Sequence, residues 1–260
     1  MRLALTLIAA LLPLPVAAQS VSAILEPGAF TEIRTTVTGR IAQIVVQEGA
    51  IVREGDLLAT IDSRVQQARV ELAEIVAAST AATERADIAI RQAADLRKRV
   101  ASARAKGAAQ KWEVTQSELA VELAEADRNV TLESIARNQS QLALERATLS
   151  EFSMVAPYAG TVLQIHVDPG AIVEPETTVM DVAKLDHLIA TAFVPVDWLA
   201  DLDVGARLSA RIARGGSVVA TVRSIDPRID PASLSVRVTL EIDNRDGLLL
   251  AGSAIEIDQP

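Results

Sequence analysis

Apolar positions change period twice along the chain. Around Ile41, Ile44 and Val46 they fall in short alternating runs punctuated by glycine, which predicts short strands. From Ser63 to Glu151 they recur at intervals of three and four, which predicts helix. Beyond Leu185 the period of two returns, with candidate strands at Leu188–Val194, Ala206–Ala213, Val218–Ile225, Leu234–Ile242 and Ala254–Ile257. Pro195 to Leu202 reads as a short helix with Trp198 and Leu199 turned inward. Gly215-Gly216 marks a hairpin turn, and Asp226-Pro227 and Asp230-Pro231 mark loops. Several short strands in so few residues suggest a small barrel, closed by a strand near Ser22–Leu25.

The first strand-like stretch occurs twice. Gly39–Ile61 and Gly160–Val182 align without a gap, each residue of the second lying 121 positions after its counterpart, with eight identities in 23 positions. Gly39/Gly160, Gln43/Gln164, Ile44/Ile165, Val46/Val167 and Gly49-Ala50-Ile51-Val52/Gly170-Ala171-Ile172-Val173 are the identical pairs. Gly39, Gly49, Gly160 and Gly170 read as turns of the two halves; at Gly49 and Gly170 a tight turn would need the positive φ that glycine adopts freely. A unit this short cannot bury its apolar face alone. Two of them packed face to face close a small sandwich, with two independent hairpins in one larger sheet as the alternative.

The spacer between the copies has no proline and a single glycine, Gly107, at its midpoint. Ser63-x-x-Gln66 opens it as a capping box. Val65, Ala68, Leu72, Ile75, Ser79, Ala82, Ala86, Ala89, Ala93, Leu96, Val100 and Ala103 then form a coiled-coil seam. A left-handed Gly107 ends one helix and starts the reversal. Each arm is then about 44 residues, or roughly 66 Å, long. The return arm carries Leu119, Leu123, Ala126 and Val130, then Leu132, Ile135, Leu142 and Leu149, with a change of phase near Val130. Because the two β-halves must meet, the spacer leaves and returns at one point as an antiparallel rod; a continuous helix dimerising with another chain is the alternative.

Composition narrows the picture. Aromatics are 2% of 260 residues and the formal charge is −9, without the basic face that nucleic acid requires. Met1-Arg2, the apolar run Leu3–Leu14 and the small residues Val16-Ala17-Ala18 make a secretory signal, either cleaved after Ala18 or kept as an anchor. The mature chain is expected in the periplasm, held at the inner membrane through a partner. No cysteine is present, so disulfides, thiolate chemistry and a cysteine-linked lipid anchor are excluded.

Thr38–Asp62 (TGRIAQIVVQEGAIVREGDLLATID), Ala156–Val173 (APYAGTVLQIHVDPGAIV) and Asn244–Ile257 (NRDGLLLAGSAIEI) together resemble the periplasmic adaptor family, the HlyD-type membrane fusion proteins of RND-type tripartite efflux pumps. Ala251 and Ser253 stand where that family's barrel motif has Pro and Met. The resemblance implies an elongated α+β multidomain fold, with a coiled-coil α-hairpin inserted in a split lipoyl-like β-sandwich and followed by a small β-barrel. Its boundaries are a signal peptide at 1–18, N-terminal strands joining the barrel at 19–36, lipoyl-like halves at 37–62 and 152–186, the hairpin at 63–151 and the barrel at 187–258. Few residues then follow for the membrane-proximal domain of many members. The resemblance further implies an adaptor between an inner-membrane RND-type transporter and a TolC-type outer-membrane channel, assembled as a ring of three or six copies. An adaptor of an ABC-type exporter or type I secretion system is the alternative.

In this family the hairpin tip meets the channel. Here Arg97, Arg99, Arg104, Lys106, Gly107, Gln110, Lys111 and Trp112 are the candidate docking residues, a basic patch with an aromatic on an acidic chain. The family's tip spacing of Arg, Leu seven on and Ser four further is not kept. From Arg97 those positions hold Arg104 and Ala108, and from Arg99 they hold Lys106 and Gln110. Lipoyl and biotinyl carriers present a lysine where their halves join. That junction is occupied by the hairpin and Lys184 lies beyond it, so no cofactor is expected. His166 and His187 are too far apart in sequence pattern to suggest a metal site, Met154 and Met180 read as core, and no catalytic constellation is present.

Overall fold

The computed structural model describes residues 20–212 and 215–260; the expected signal segment at 1–18 lies outside the described residues, as does Ala213. Strand β1 (Ser20–Arg34) leads into β2 (Gly39–Ile44), β3 (Ile51–Val52) and β4 (Leu57–Ile61). Helices α1 (Arg64–Ala77), α2 (Ala81–Ala105) and α3 (Lys111–Ser150) follow. The second β set is β5 (Ser153–Val155), β6 (Gly160–Ile165), β7 (Ile172–Val173) and β8 (Thr178–Pro195). A 3₁₀ turn (Val196–Ala200) leads to β9 (Arg207–Ile212), β10 (Ser217–Asp230), β11 (Ser235–Asp243) and β12 (Ala254–Asp258).

Pairing in the order β1, β12, β9, β10, β11, β8 and back to β1 closes six strands into a barrel. β1 closes it by pairing Ser20–Ile24 with β12 and Leu25–Pro27 with β8. The core inside runs from Leu25 through Leu188, Trp198, Leu208 and Leu240 to Ile257. Asn244 is buried and organises the loop before β12: its amide donates to the Leu185 and Leu249 carbonyls, and its own carbonyl accepts from the Leu249 N–H. One expectation needs correction. The Asp226-Pro227 pair lies within β10, where the pairing to β11 slips between Ile225 and Ile229 and so absorbs a proline that cannot donate to the ladder. The short helix expected after Pro195 is a 3₁₀ helix, with Trp198 buried as expected.

β1 and β8 continue past the barrel into a second core, formed by Ile33, Ile41, Leu58, Ile61, Val162, Met180 and their neighbours. The duplicated halves exchange strands here. β7 of the second copy pairs with β2 of the first (Gly39↔Val173), and β3 of the first pairs with β6 of the second (Val52↔Gly160). Each sheet of this body is thus completed by the other copy, which independent hairpins would not do.

The spacer folds as an antiparallel hairpin, but its inner face follows the expected seam only in part, and departs from it on α1. α1 turns Gln66, Val70, Ala73 and Ala77 towards α3, while Val65, Leu72 and Ile75 stand 71, 63 and 66% exposed. The expected capping box at Ser63 is absent: Gln66 is buried and donates to the Glu145 carbonyl and carboxylate, whereas Gln67 donates to Ser63 Oγ. The outgoing arm is two helices, broken at Ala78–Thr80, where Ser79 N–H bonds the Val76 carbonyl and Thr80 Oγ1 bonds Glu84. Beyond that break the inner face is Thr83, Ala86, Ile90, Ala93, Val100 and Ala103, of which Ala86, Ala93, Val100 and Ala103 belong to the expected seam, while Leu96 is exposed. On α3 the buried face is Ser117, Val121 and Ala124, and Leu119, Leu123 and Val130 point away from it.

Candidate functional site

The tip is built by Gly107. With φ at +75° it terminates α2 in a Schellman motif: Ala108 N–H bonds the Ala103 carbonyl and Gly107 N–H bonds the Arg104 carbonyl. Lys106 is the C-cap before it. Arg104 reaches across the turn to the Ala109 carbonyl at 3.0 Å, and Ala109 is buried. Gln110 is the N-cap of α3, with its N–H held by the Glu113 carboxylate. Lys111 and Trp112 open α3 in solvent, Trp112 63% exposed.

The structure therefore gathers Arg104, Lys106, Gly107, Gln110, Lys111 and Trp112 at one end. Arg97 and Arg99 lie about two turns back on α2, both exposed. Among the described residues these cations of the tip form no ion pair within 4 Å; the hairpin's own pairs are Asp87–Arg128 at 2.8 Å and Glu74–Arg146 at 2.7 Å, both nearer its base. Ala109 was not singled out from sequence, and nothing in its neighbourhood marks it except the turn itself.

The four glycines of the β-halves divide into two kinds. Gly49 and Gly170 have φ of +82° and +92° and sit in turns, as the sequence suggests. Gly39 and Gly160 are not turns; each opens a strand at a close approach. A Cβ at Gly160 would lie 2.6 Å from the Ala183 carbonyl oxygen, and one at Gly39 would lie 2.4 Å from the Ile61 Cγ2 methyl. His166 meets Asp181 at 2.9 Å, while His187 lies between Asp186 and Glu241 at 3.7 and 3.8 Å. No group of three metal-ligating side chains forms among the described residues. Lys184 faces Ala29 within β8 rather than a hairpin tip, and Met154 and Met180 are buried.

The same arrangement is found in known proteins. The family description "RND MFP, barrel-sandwich hybrid domain" matches residues 30–183, and "CusB-like, beta-barrel domain" matches residues 190–259. The chain belongs to the RND membrane fusion protein family. Members of that family are membrane fusion proteins, not enzymes. The nodulation protein NolF of Rhizobium meliloti (strain 1021) is 28% identical over 86% of this chain and 60% of its own length. The nickel-cobalt-cadmium resistance protein NccB of Alcaligenes xylosoxydans xylosoxydans is 24% identical over 89% and 54%. The chain thus spans little more than half the length of these relatives. The crystal structure of MacA from Actinobacillus actinomycetemcomitans shares the fold with a TM-score of 0.79, at 21% identity over 93% of this chain and 78% of that one. Among the described residues no helix is long and apolar enough to cross a membrane.

Proposed function

We propose that this membrane fusion protein is a periplasmic adaptor that links an inner-membrane RND-type efflux transporter to a TolC-type outer-membrane channel for the export of small molecules. The observation that carries the reading is the hairpin, which projects from the β body and ends in an exposed basic turn with Trp112 beside it. In this reading residues 1–18 export the chain. The β-halves at 37–62 and 152–186 form a split lipoyl-like sandwich, and the hairpin at 63–151 reaches the channel. The barrel at 187–258, joined by strands from 19–36, contacts the transporter, and three or six copies form a ring. Arg97, Arg99, Arg104, Lys106, Lys111 and Trp112 dock on the channel rim, while Gly107 and Gln110 shape the turn that presents them. Opposite charge steers such docking and a partly exposed Trp anchors it. The names of relatives such as NccB make divalent metal cations one cargo class to test beside organic compounds.

The experiment is Lys106→Glu combined with Lys111→Glu in the native host. Both side chains are exposed, so helix content and thermal unfolding should be unchanged while tolerance to the pump's substrates is lost. Unchanged tolerance would overturn tip docking.

A further inference from the structure

The base of the hairpin carries a cationic groove on an acidic chain. It is open, holds about 790 Å³, and lies along the first turns of α1. Its apolar lining is Val65, Ala68 and Leu72, whose spacing of three and four puts them on one helix face. The small Ala68 leaves room between its two larger neighbours, and both of those are exposed. Its charged lining is three guanidinium groups, Arg40 from β2 with Arg64 and Arg69 from α1, against one carboxylate, Asp62. That carboxylate is already engaged, accepting from Arg64. Arg40 and Arg69 form no ion pair within 4 Å among the described residues. The formal charge of the chain is −9, yet here three cations face one anion.

Arg69 and Leu72 also border a second hollow, of about 240 Å³, between α1 and α3. Ala73 and Val76 line it from α1, and Asn138 and Gln141 from α3. Its one acid, Glu145, is occupied: one carboxylate oxygen accepts from Gln66 and the other from Gln141. Arg69 therefore faces both hollows with its charge unpaired. From Arg69 to Val76 the helix advances about 10 Å. The two hollows together offer cations at one end and an apolar track leading away from them. A carboxylate accepts paired N–H groups from a guanidinium, and an apolar chain gains by covering exposed aliphatic side chains. An organic cation would meet repulsion at the head of the track, and an uncharged apolar compound would leave the guanidinium groups unused. A hollow between two helices takes a single chain, not the plane of a bilayer.

We infer that the hairpin base is a binding site for a free amphipathic anion, with its carboxylate head among Arg40, Arg64 and Arg69 and its apolar tail running over Leu72 towards Val76. Val65 and Leu72, which read as seam residues in the sequence, are on this account the lining of a ligand site. The inference goes beyond the bridging role proposed above and does not depend on it, because the purified chain alone either binds such an anion or does not.

The test is isothermal titration of the purified full chain with dodecanoate below its micelle concentration. Binding should saturate at one anion per chain, and each methylene removed from the probe should weaken it by up to about fourfold. Arg40→Glu combined with Arg69→Glu leaves the Asp62–Arg64 pair intact and should weaken binding at least about tenfold. The same charge change on α2, Arg85→Glu with Arg91→Glu, should leave it unaltered. All four side chains are exposed, so circular dichroism of both variants should match the parent chain. No saturable binding would overturn the proposal. So would equal binding of dodecyltrimethylammonium, which would reduce the site to an apolar patch, or an equal loss in the α2 variant, which would reduce it to net charge. Capture of phosphatidylglycerol vesicles without binding of monomeric dodecanoate would make the groove a membrane-facing surface instead. If the unliganded chain sediments as oligomers that Arg40→Glu with Arg69→Glu disperses, the groove is a contact between copies and the proposal falls.

Discussion

Around the barrel, Leu188, Val194, Leu240 and Ile257 are wholly buried, whereas on the hairpin Val65, Leu72, Leu123 and Val130 stand more than half exposed. The two regions also differ in what fills their interiors. The barrel interior is continuous and apolar. The seam between the hairpin's arms holds Val70, Val121 and alanines, the buried polar side chains of Gln66 and Ser117, and the Asp87–Arg128 pair at its margin. Burial of apolar area stabilises the barrel by about 25 cal/mol per Å². The hairpin has little such area to bury on its own and is held by small contacts and polar fastenings. A region that places its apolar residues outward is built to be completed by something else.

The sharpest way to break this contrast is to truncate one leucine in each region. Leu240→Ala removes a fully buried side chain from a closed barrel and should cost about 2–5 kcal/mol. Leu123→Ala, 65% exposed, should stay within about 0.5 kcal/mol in the isolated chain. Urea unfolding of both variants checks this. A comparable loss at Leu123 would show that this side chain already has a partner within the chain.

The β body should also resist added atoms, and unequally at its two equivalent glycines. At Gly160 a new Cβ meets the backbone carbonyl of Ala183, which is held in the β6–β8 ladder and cannot retreat. Gly160→Ala is expected to cost about 1–3 kcal/mol through overpacking. At Gly39 the obstacle is only the side-chain methyl of Ile61, so Gly39→Ala should cost less. Thermal unfolding would settle the order; equal costs would mean that Ile61 is as immobile as backbone.

In the hairpin, the corresponding fastenings should be weak. Asp87 and Arg128 are each somewhat over a third exposed, so a double-mutant cycle with Asp87→Ala and Arg128→Ala should give a coupling of about 0.2–1 kcal/mol. A coupling well above that would make the pair a core element and bring the hairpin closer to the barrel in character.

How much of this could be read beforehand depends on which interaction decides each feature. The duplication, the turn glycines Gly49 and Gly170, the reversal at Gly107 and the closing strand near Ser22 are local patterns, and the chain displays them directly. The strand exchange between halves is not local. Alternation assigns residues to faces but says nothing of which neighbour a two-residue strand such as β3 or β7 will choose. The hairpin's inner face was hidden for a different reason. Apolar periodicity selects the most hydrophobic stripe, and on α1 and the first half of α3 that stripe faces out while Gln66 and Ser117 mark the true interior; on α2 the expected Ala86, Ala93, Val100 and Ala103 do face inward. The break at Ala78–Thr80 carries neither proline nor glycine, so nothing in the residues announces it. The tip's basic character was legible from charge alone, whereas Arg104's bond across the turn to Ala109 required coordinates.

The smallest expected effect concerns a pattern shared by both regions. Asp62-x-Arg64 at the hairpin base, Asp226-x-Arg228 in β10 and Asp243-x-Arg245 after β11 each let one carboxylate accept the backbone N–H and the guanidinium two residues on. Arg64 holds Asp62 at a pKa of about 2, and Arg245 holds Asp243 at about 2. Arg228, with Arg237 adding a second cation from β11, holds Asp226 well below the usual carboxylate range. An unfolded aspartate titrates near about 3.9. Because the folded values are the lower ones, each pair contributes stability that is fully present above about pH 4 and lost as the pH falls towards the folded value. Asp226→Asn, Asp62→Asn and Asp243→Asn should therefore each lower the thermal midpoint slightly at neutral pH, with Asp226 first because it loses two arginines. All three differences from the parent chain should shrink as the pH is lowered below about 4 and as salt is raised, since these groups lie at the surface. A difference that persisted at about pH 2 for Asp62→Asn would place its origin in the hydrogen-bonded shape of the turn rather than in the charge.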